Sequence, residues 1–158
     1  MHGKLTDILA RMALSAIAVA LTVIPVRAQE QQFGFGEYAV EGVAIYCGDI
    51  YTLVRSGETE LIYALDYEHI VINGPVFDTL SPGIRLFAYY QTCGQIFYGD
   101  ATLADTSAVR RGVRDRWLTA SDVETMCGTD ALAVAGWSAA PDAARCQNIF
   151  QVMRAALQ

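Results

Sequence analysis

From Ala39 to Phe77 the chain runs in short apolar stretches rich in Val, Ile, Tyr and Thr, interrupted at Gly48-Asp49, Ser56-Gly57 and Asn73-Gly74-Pro75. Runs of that length, bounded by turn residues, predict short strands joined by hairpins near residues 39–46, 50–55, 60–65 and 69–72. The texture changes at Ser81-Pro82. Pro82 suits a first helical turn, and Ile84 to Tyr98 contains no breaker except Gly94, which predicts a helix of about four turns. At 100° per residue Ile84, Ala88, Gln91 and Gln95 share one face of it, while Leu86, Tyr90, Cys93 and Phe97 share the opposite one. Apolar residues on both sides imply a central, buried helix. Further helices are expected near 102–116, near 119–127 with Ser121 and Glu124 at capping-box spacing, and from Pro141 to the C-terminus. Strands first and helices after predict an α+β domain with N-terminal antiparallel strands and a helical half built round a buried helix.

Ahead of this pattern stands a different one. A basic stretch with Lys4 and Arg11, an apolar segment from Met12 to Ile24 and Val26-Arg27-Ala28 have the layout of a secretory signal, with cleavage expected after Ala28. The apolar segment is shorter than the roughly 20 residues a spanning helix needs, so an uncleaved anchor is the second reading and no membrane span is expected after cleavage. Residues 1–28 are thus read as signal and 29–158 as one domain, because the remaining 130 residues can bury one core but not comfortably two. Losing Lys4, Arg11, Arg27 and Asp7 turns 11 basic and 17 acidic residues into 8 and 16, a net charge of −8. Such a balance repels phosphate and excludes nucleic acid and anionic membrane surfaces as partners.

Cys47, Cys93, Cys127 and Cys146 all lie in the mature part. An even count in an exported chain favours two disulfides in an oxidising compartment, either periplasmic or secreted. Three pairings are possible and the sequence does not choose; Cys127 with Cys146 is favoured first, since it ties the last two helical segments together. No CxxC spacing supports a cysteine zinc site.

The stretch Phe87-Ala88-Tyr89-Tyr90-Gln91-Thr92-Cys93-Gly94-Gln95-Ile96-Phe97-Tyr98-Gly99, then Ala104-Asp105 and Ala108-Val109-Arg110-Arg111-Gly112, resembles a family of small exported HExxH, gluzincin-like zinc metallopeptidases. Trp117-Leu118-Thr119 with Asp122, and Pro141-Asp142-Ala143-Ala144-Arg145-Cys146-Gln147-Asn148, extend the likeness over roughly residues 66–150. In such a peptidase two histidines four apart on one helical face hold zinc and the glutamate between them polarises the bound water. The resemblance puts Gln91 and Gln95 at the histidine positions, Thr92 at the glutamate and Ala101 at the third ligand, and leaves only Asp105, a supporting residue. Apart from the resemblance, the mature part holds a single histidine, His69, and neutral glutamine amides bind zinc weakly. The expectation is a degenerate, catalytically inactive member with no cofactor and no metal. Its retained edge strand, near Glu68 to Pro75 beside Gln91 and Gln95, would bind an extended peptide or an envelope protein.

Two other readings compete. Cys47 beside Gly48, with His69, would supply the nucleophile pair of a hydrolase if the thiol stayed reduced; a structural envelope protein would need no site at all. Gly136-Trp137-Ser138 lacks the final glycine of a nucleophile elbow, and His69 precedes rather than follows the serine. Arg110, Arg111, Arg114 and Arg116 lie among Asp100, Asp105, Asp115 and Asp122, which predicts a salt-bridged helix face rather than a basic patch. Tyrosines 38, 46, 51, 63 and 67 suit half-buried strands, a few of them available for a binding surface.

Overall fold

Glu41 and Gly42 both take positive φ, 48° and 79°, the backbone of a two-residue hairpin turn, so the long strand expected over 39–46 folds back on itself. It becomes β2 (Tyr38–Val40) and β3 (Val43–Ile45), a two-stranded antiparallel sheet. A computed structural model describes residues 29–128 and 136–158; the expected signal segment lies outside them. The remaining strands are β1 (Gln31–Phe33), which the sequence did not announce, β4 (Tyr51–Arg55), β5 (Ile62–Ala64) and β6 (His69–Asn73). They form one sheet in the order β1-β4-β6-β5.

The pairing departs from a chain of hairpins. β5 and β6 do form one, with Tyr63 opposite Val71, but β4 runs parallel to β6, with Leu53 opposite Val71. β6 is therefore an interior strand, not the edge expected near Glu68 to Pro75. The cause is its composition: Ile70, Val71 and Ile72 are each fully buried, and a run apolar on both faces belongs inside a sheet. The true edges are β1 and β5.

Among the described residues five helices follow: α1 (Gly74–Phe77), α2 (Pro82–Tyr98), α3 (Ala101–Arg114), α4 (Ala120–Gly128) and α5 (Ala143–Ala156). The fold is α+β. Each long helix starts on a side-chain cap: Ser81 accepts from the Ile84 amide, Asp100 from Leu103 and Asp142 from Arg145. On α4 the reciprocal cap is Thr119 with Asp122, one carboxylate oxygen taking the Thr119 amide at 3.0 Å while the Thr119 hydroxyl takes the Asp122 amide at 3.1 Å. Ser121 and Glu124 do not form it; the Ser121 carbonyl instead accepts from the Thr125 hydroxyl. The other Asp122 oxygen accepts from the Ser81 hydroxyl at 2.6 Å, joining the starts of α2 and α4.

α2 is central, touching β2, β5, α3 and α4. From Gly83 to Thr92 all but Arg85 of its side-chain positions are buried, as the two apolar faces imply. Tyr89 reaches the sheet, its hydroxyl 3.0 Å from that of Thr52 on β4, and burial pushes its pKa up to about 12. Gly94 lets α2 and α3 approach: a Cβ there would stand 2.9 Å from the Ala104 backbone. Two disulfides close the domain. Cys47 is bonded to Cys93, tying the loop before β4 to α2, and Cys127 to Cys146, tying α4 to α5. They fit a chain that folds in an oxidising compartment. Among the described residues no helix is long and apolar enough to cross a membrane.

Candidate functional site

The helix face that would carry a metal site is closed. Gln91 is fully buried, Thr92 is 2 % exposed, and neither the Gln91 amide nor the Thr92 hydroxyl has a hydrogen-bond partner among the described residues. Gln95, one turn on, is half-buried, as is Ala101 at the start of α3. Gln91 therefore lines no open cleft. Among the described residues no three His, Cys, Asp or Glu side chains stand together as a metal would require.

Asp105 is fully buried on α3 and has a partner the sequence reading did not assign. The Arg145 guanidinium, from α5, donates to both its oxygens, Nε to Oδ2 and Nη2 to Oδ1, each at 2.7 Å. The remaining nitrogen, Nη1, donates to the Ala139 carbonyl at 3.1 Å. Burial pushes the Asp105 carboxyl above its ordinary range, and the guanidinium pulls against that rise. This fork ties α3, α5 and the segment before α5 together, so Asp105 serves the fold.

The buried Gln91 amide makes a direct prediction. Unpaired buried polar groups cost about 1–3 kcal/mol, and an apolar side chain of similar shape removes that cost. Gln91→Met should raise stability by about 1 kcal/mol in urea denaturation; a loss instead would show that the amide is satisfied in solution.

Cys47 offers no nucleophile. It is 1 % exposed and bonded to Cys93, so the thiol that the Cys47 and His69 reading requires does not exist in the oxidised chain. His69 is engaged elsewhere, Nδ1 lying 3.0 Å from Asp66 and its ring stacked 5.9 Å from that of Tyr51. The arginines divide. Arg111 and Arg114 both reach Asp115, and Arg111 also lies over the rings of Tyr90 at 3.9 Å and Tyr46 at 5.0 Å. Arg110 and Arg116 have no carboxylate in ion-pair range among the described residues, so the expected salt-bridged face is only half formed.

An open surface lies instead at the C-terminal end of α2. Tyr51, Tyr67 and Phe97, exposed to 43, 84 and 61 %, rim a groove of about 560 Å³ floored by Ile50 and Ile96, with Asp49 and Glu68 also lining it. Three separate segments meet here, and each is fixed. The Tyr51 amide donates to the Glu68 carbonyl at 2.8 Å where β4 and β6 begin their parallel pairing. The Asp66 carboxylate accepts from the Glu68 amide at 2.7 Å, which shapes the turn presenting Tyr67. That amide, with His69 assisting, holds the Asp66 carboxyl below its ordinary range. The Cys47–Cys93 disulfide anchors the third segment: Gly48, at φ 57°, brings the backbone against the Phe97 ring. Of the tyrosines singled out in the sequence, Tyr51 and Tyr67 reach this groove, Tyr46 is exposed against Phe35, and Tyr38 and Tyr63 are half-buried.

No family model, curated protein or solved structure matches this chain. Its chemistry is therefore argued from its own residues. A row of exposed aromatic side chains on a disulfide-braced floor can hold a ligand by contact, with the Asp49 and Glu68 carboxylates beside it.

Proposed function

We propose that this chain is an exported, non-catalytic binding domain, metallopeptidase-like in sequence, that works in the periplasm or outside the cell. Its ligand is an extended peptide or a segment of an envelope protein. The groove of Tyr51, Tyr67 and Phe97 carries the reading. Large aromatic side chains supply much contact area with little conformational freedom to lose, and here all three stay in water although the core buries others as large. The two disulfides support export. The peptidase-like segments support a vacated site at Gln91, Thr92 and Gln95, and the burial of Gln91 moves the expected binding surface off it, to Ile96 and Phe97 in the last turn of the same helix.

The test is a Tyr67→Ala, Phe97→Ala variant of the mature protein, compared with the natural one on an immobilised panel of ten-residue peptides. Both side chains are exposed, so the melting temperature should hold while retention on the panel falls about tenfold or more. Unchanged retention, or none by either protein, would remove the groove as a ligand surface.

A further inference from the structure

Resting on that reading of the groove, we infer that its occupant is a lysine- or arginine-bearing segment of a partner protein, the cationic side chain lying among Tyr51, Tyr67 and Phe97. Two carboxylates line the groove, Asp49 and Glu68, and neither has a cation in ion-pair range among the described residues. In this they differ from Asp105, Asp115, Glu30, Glu41, Glu58 and Asp78, each of which has an arginine within 4 Å and is thereby neutralised within the fold. His69, next to Glu68 in the chain, is already engaged, its ring stacked on that of Tyr51 and its Nδ1 3.0 Å from Asp66.

Aromatic faces attract a cation through their ring quadrupoles, and adjacent carboxylates add charge; the combination selects a positive group that keeps an apolar stem. The protein already uses this chemistry once, where Arg111 lies over Tyr90 and Tyr46. The openness of the groove decides between a protein segment and a small cation. A pocket for a small molecule encloses most of its ligand, whereas here the aromatic rim remains 43 to 84 % exposed, a shape suited to a side chain reaching in from a chain that lies across the surface. The acidic balance of the mature chain adds long-range attraction for a basic partner.

The experiment measures binding of fluorescein-labelled ten-residue peptides, alike except for one central lysine, arginine, acetyl-lysine or glutamate, to the mature protein and to an Asp49→Asn, Glu68→Gln variant. Choline serves as the free-cation competitor. The lysine and arginine peptides should bind about tenfold tighter than the acetyl-lysine and glutamate peptides, and the variant should lose that preference while still binding the acetyl-lysine peptide as before. The preference should also shrink with added salt. Binding without charge preference overturns the cationic assignment and leaves the groove standing. Binding of none of the peptides overturns both. Choline binding tighter than every peptide overturns the choice of a protein segment.

Discussion

Replacing Cys47 and Cys93 together by alanine lowers the free energy of unfolding by about 4 kcal/mol, the chain entropy released when a loop of that length is opened. The bond spans 46 residues, from the loop before β4 to the middle of α2, and encloses β4, β5, β6 and α1. The second bond spans 19 residues, and its removal costs about 3 kcal/mol on the same argument. Small domains hold only about 5–15 kcal/mol in total, so the Cys47, Cys93 variant sits near the edge of folding at 37 °C. Urea denaturation of the two double variants measures the difference. Equal losses, or a larger loss from Cys127 and Cys146, would mean that native packing rather than loop length sets the effect. The groove should suffer with the first bond, because Gly48 and Phe97 are held together beside it.

The second large effect lies at Asp105. Asp105→Ala leaves the Arg145 guanidinium, 16 % exposed, without its charge partner, and breaking one side of such a buried pair costs about 3–5 kcal/mol. Replacing both, Asp105→Leu with Arg145→Met, should cost far less than the single change, since no buried charge is then unpaired. A double variant as damaged as the single one would show that the fork specifies the fold beyond its charges. The pH dependence has a definite sign. The Asp105 pKa is raised in the folded chain, so the contribution of this group is fullest below the ordinary carboxylate range and declines as pH rises through the folded value. Acid unfolding is driven instead by carboxyls held low, such as Asp115 beside Arg114 and Asp66 on the Glu68 amide; their contributions are present above the unfolded value and lost as pH falls.

Much of the fold could be read from local signals. Pro82 and the apolar runs mark a real helix start and real strands because caps and burial are decided within a few residues; the last helix, expected from Pro141, starts at Ala143 on its Asp142 cap. The favoured Cys127–Cys146 bond is present, and its partner bond follows by elimination once one is known. What was not legible is what depends on distant segments. Hairpin signals at Ser56-Gly57 say that the chain turns, but not that β5 then passes over to pair with β6 while β4 lies parallel to it. The run Ile70-Val71-Ile72 did hold that information, since a strand apolar on both faces is not an edge. Arg145 as the partner of Asp105 lies 40 residues away, with no spacing rule to link them. The groove is harder still: Tyr51 and Tyr67 are two of five tyrosines that the sequence leaves open to a binding surface, with no spacing to single them out, and Phe97 sits on a helix whose pattern reads as buried. The signal that could have found it is Asp66-Tyr67-Glu68, a tyrosine held between two acids in a turn, where a core residue has no place.

Elemental mass spectrometry of the mature protein, purified without chelator, tests most directly the claim that this chain works by binding rather than by metal-assisted hydrolysis. A Gln91→His, Thr92→Glu, Gln95→His variant, which places an HExxH motif on the same helix, serves beside it as the comparison. Zinc far below one atom per chain is predicted in the natural protein, because among the described residues no three His, Cys, Asp or Glu side chains stand together and His69 is tied to Asp66. Near-stoichiometric zinc in the natural protein would contradict it.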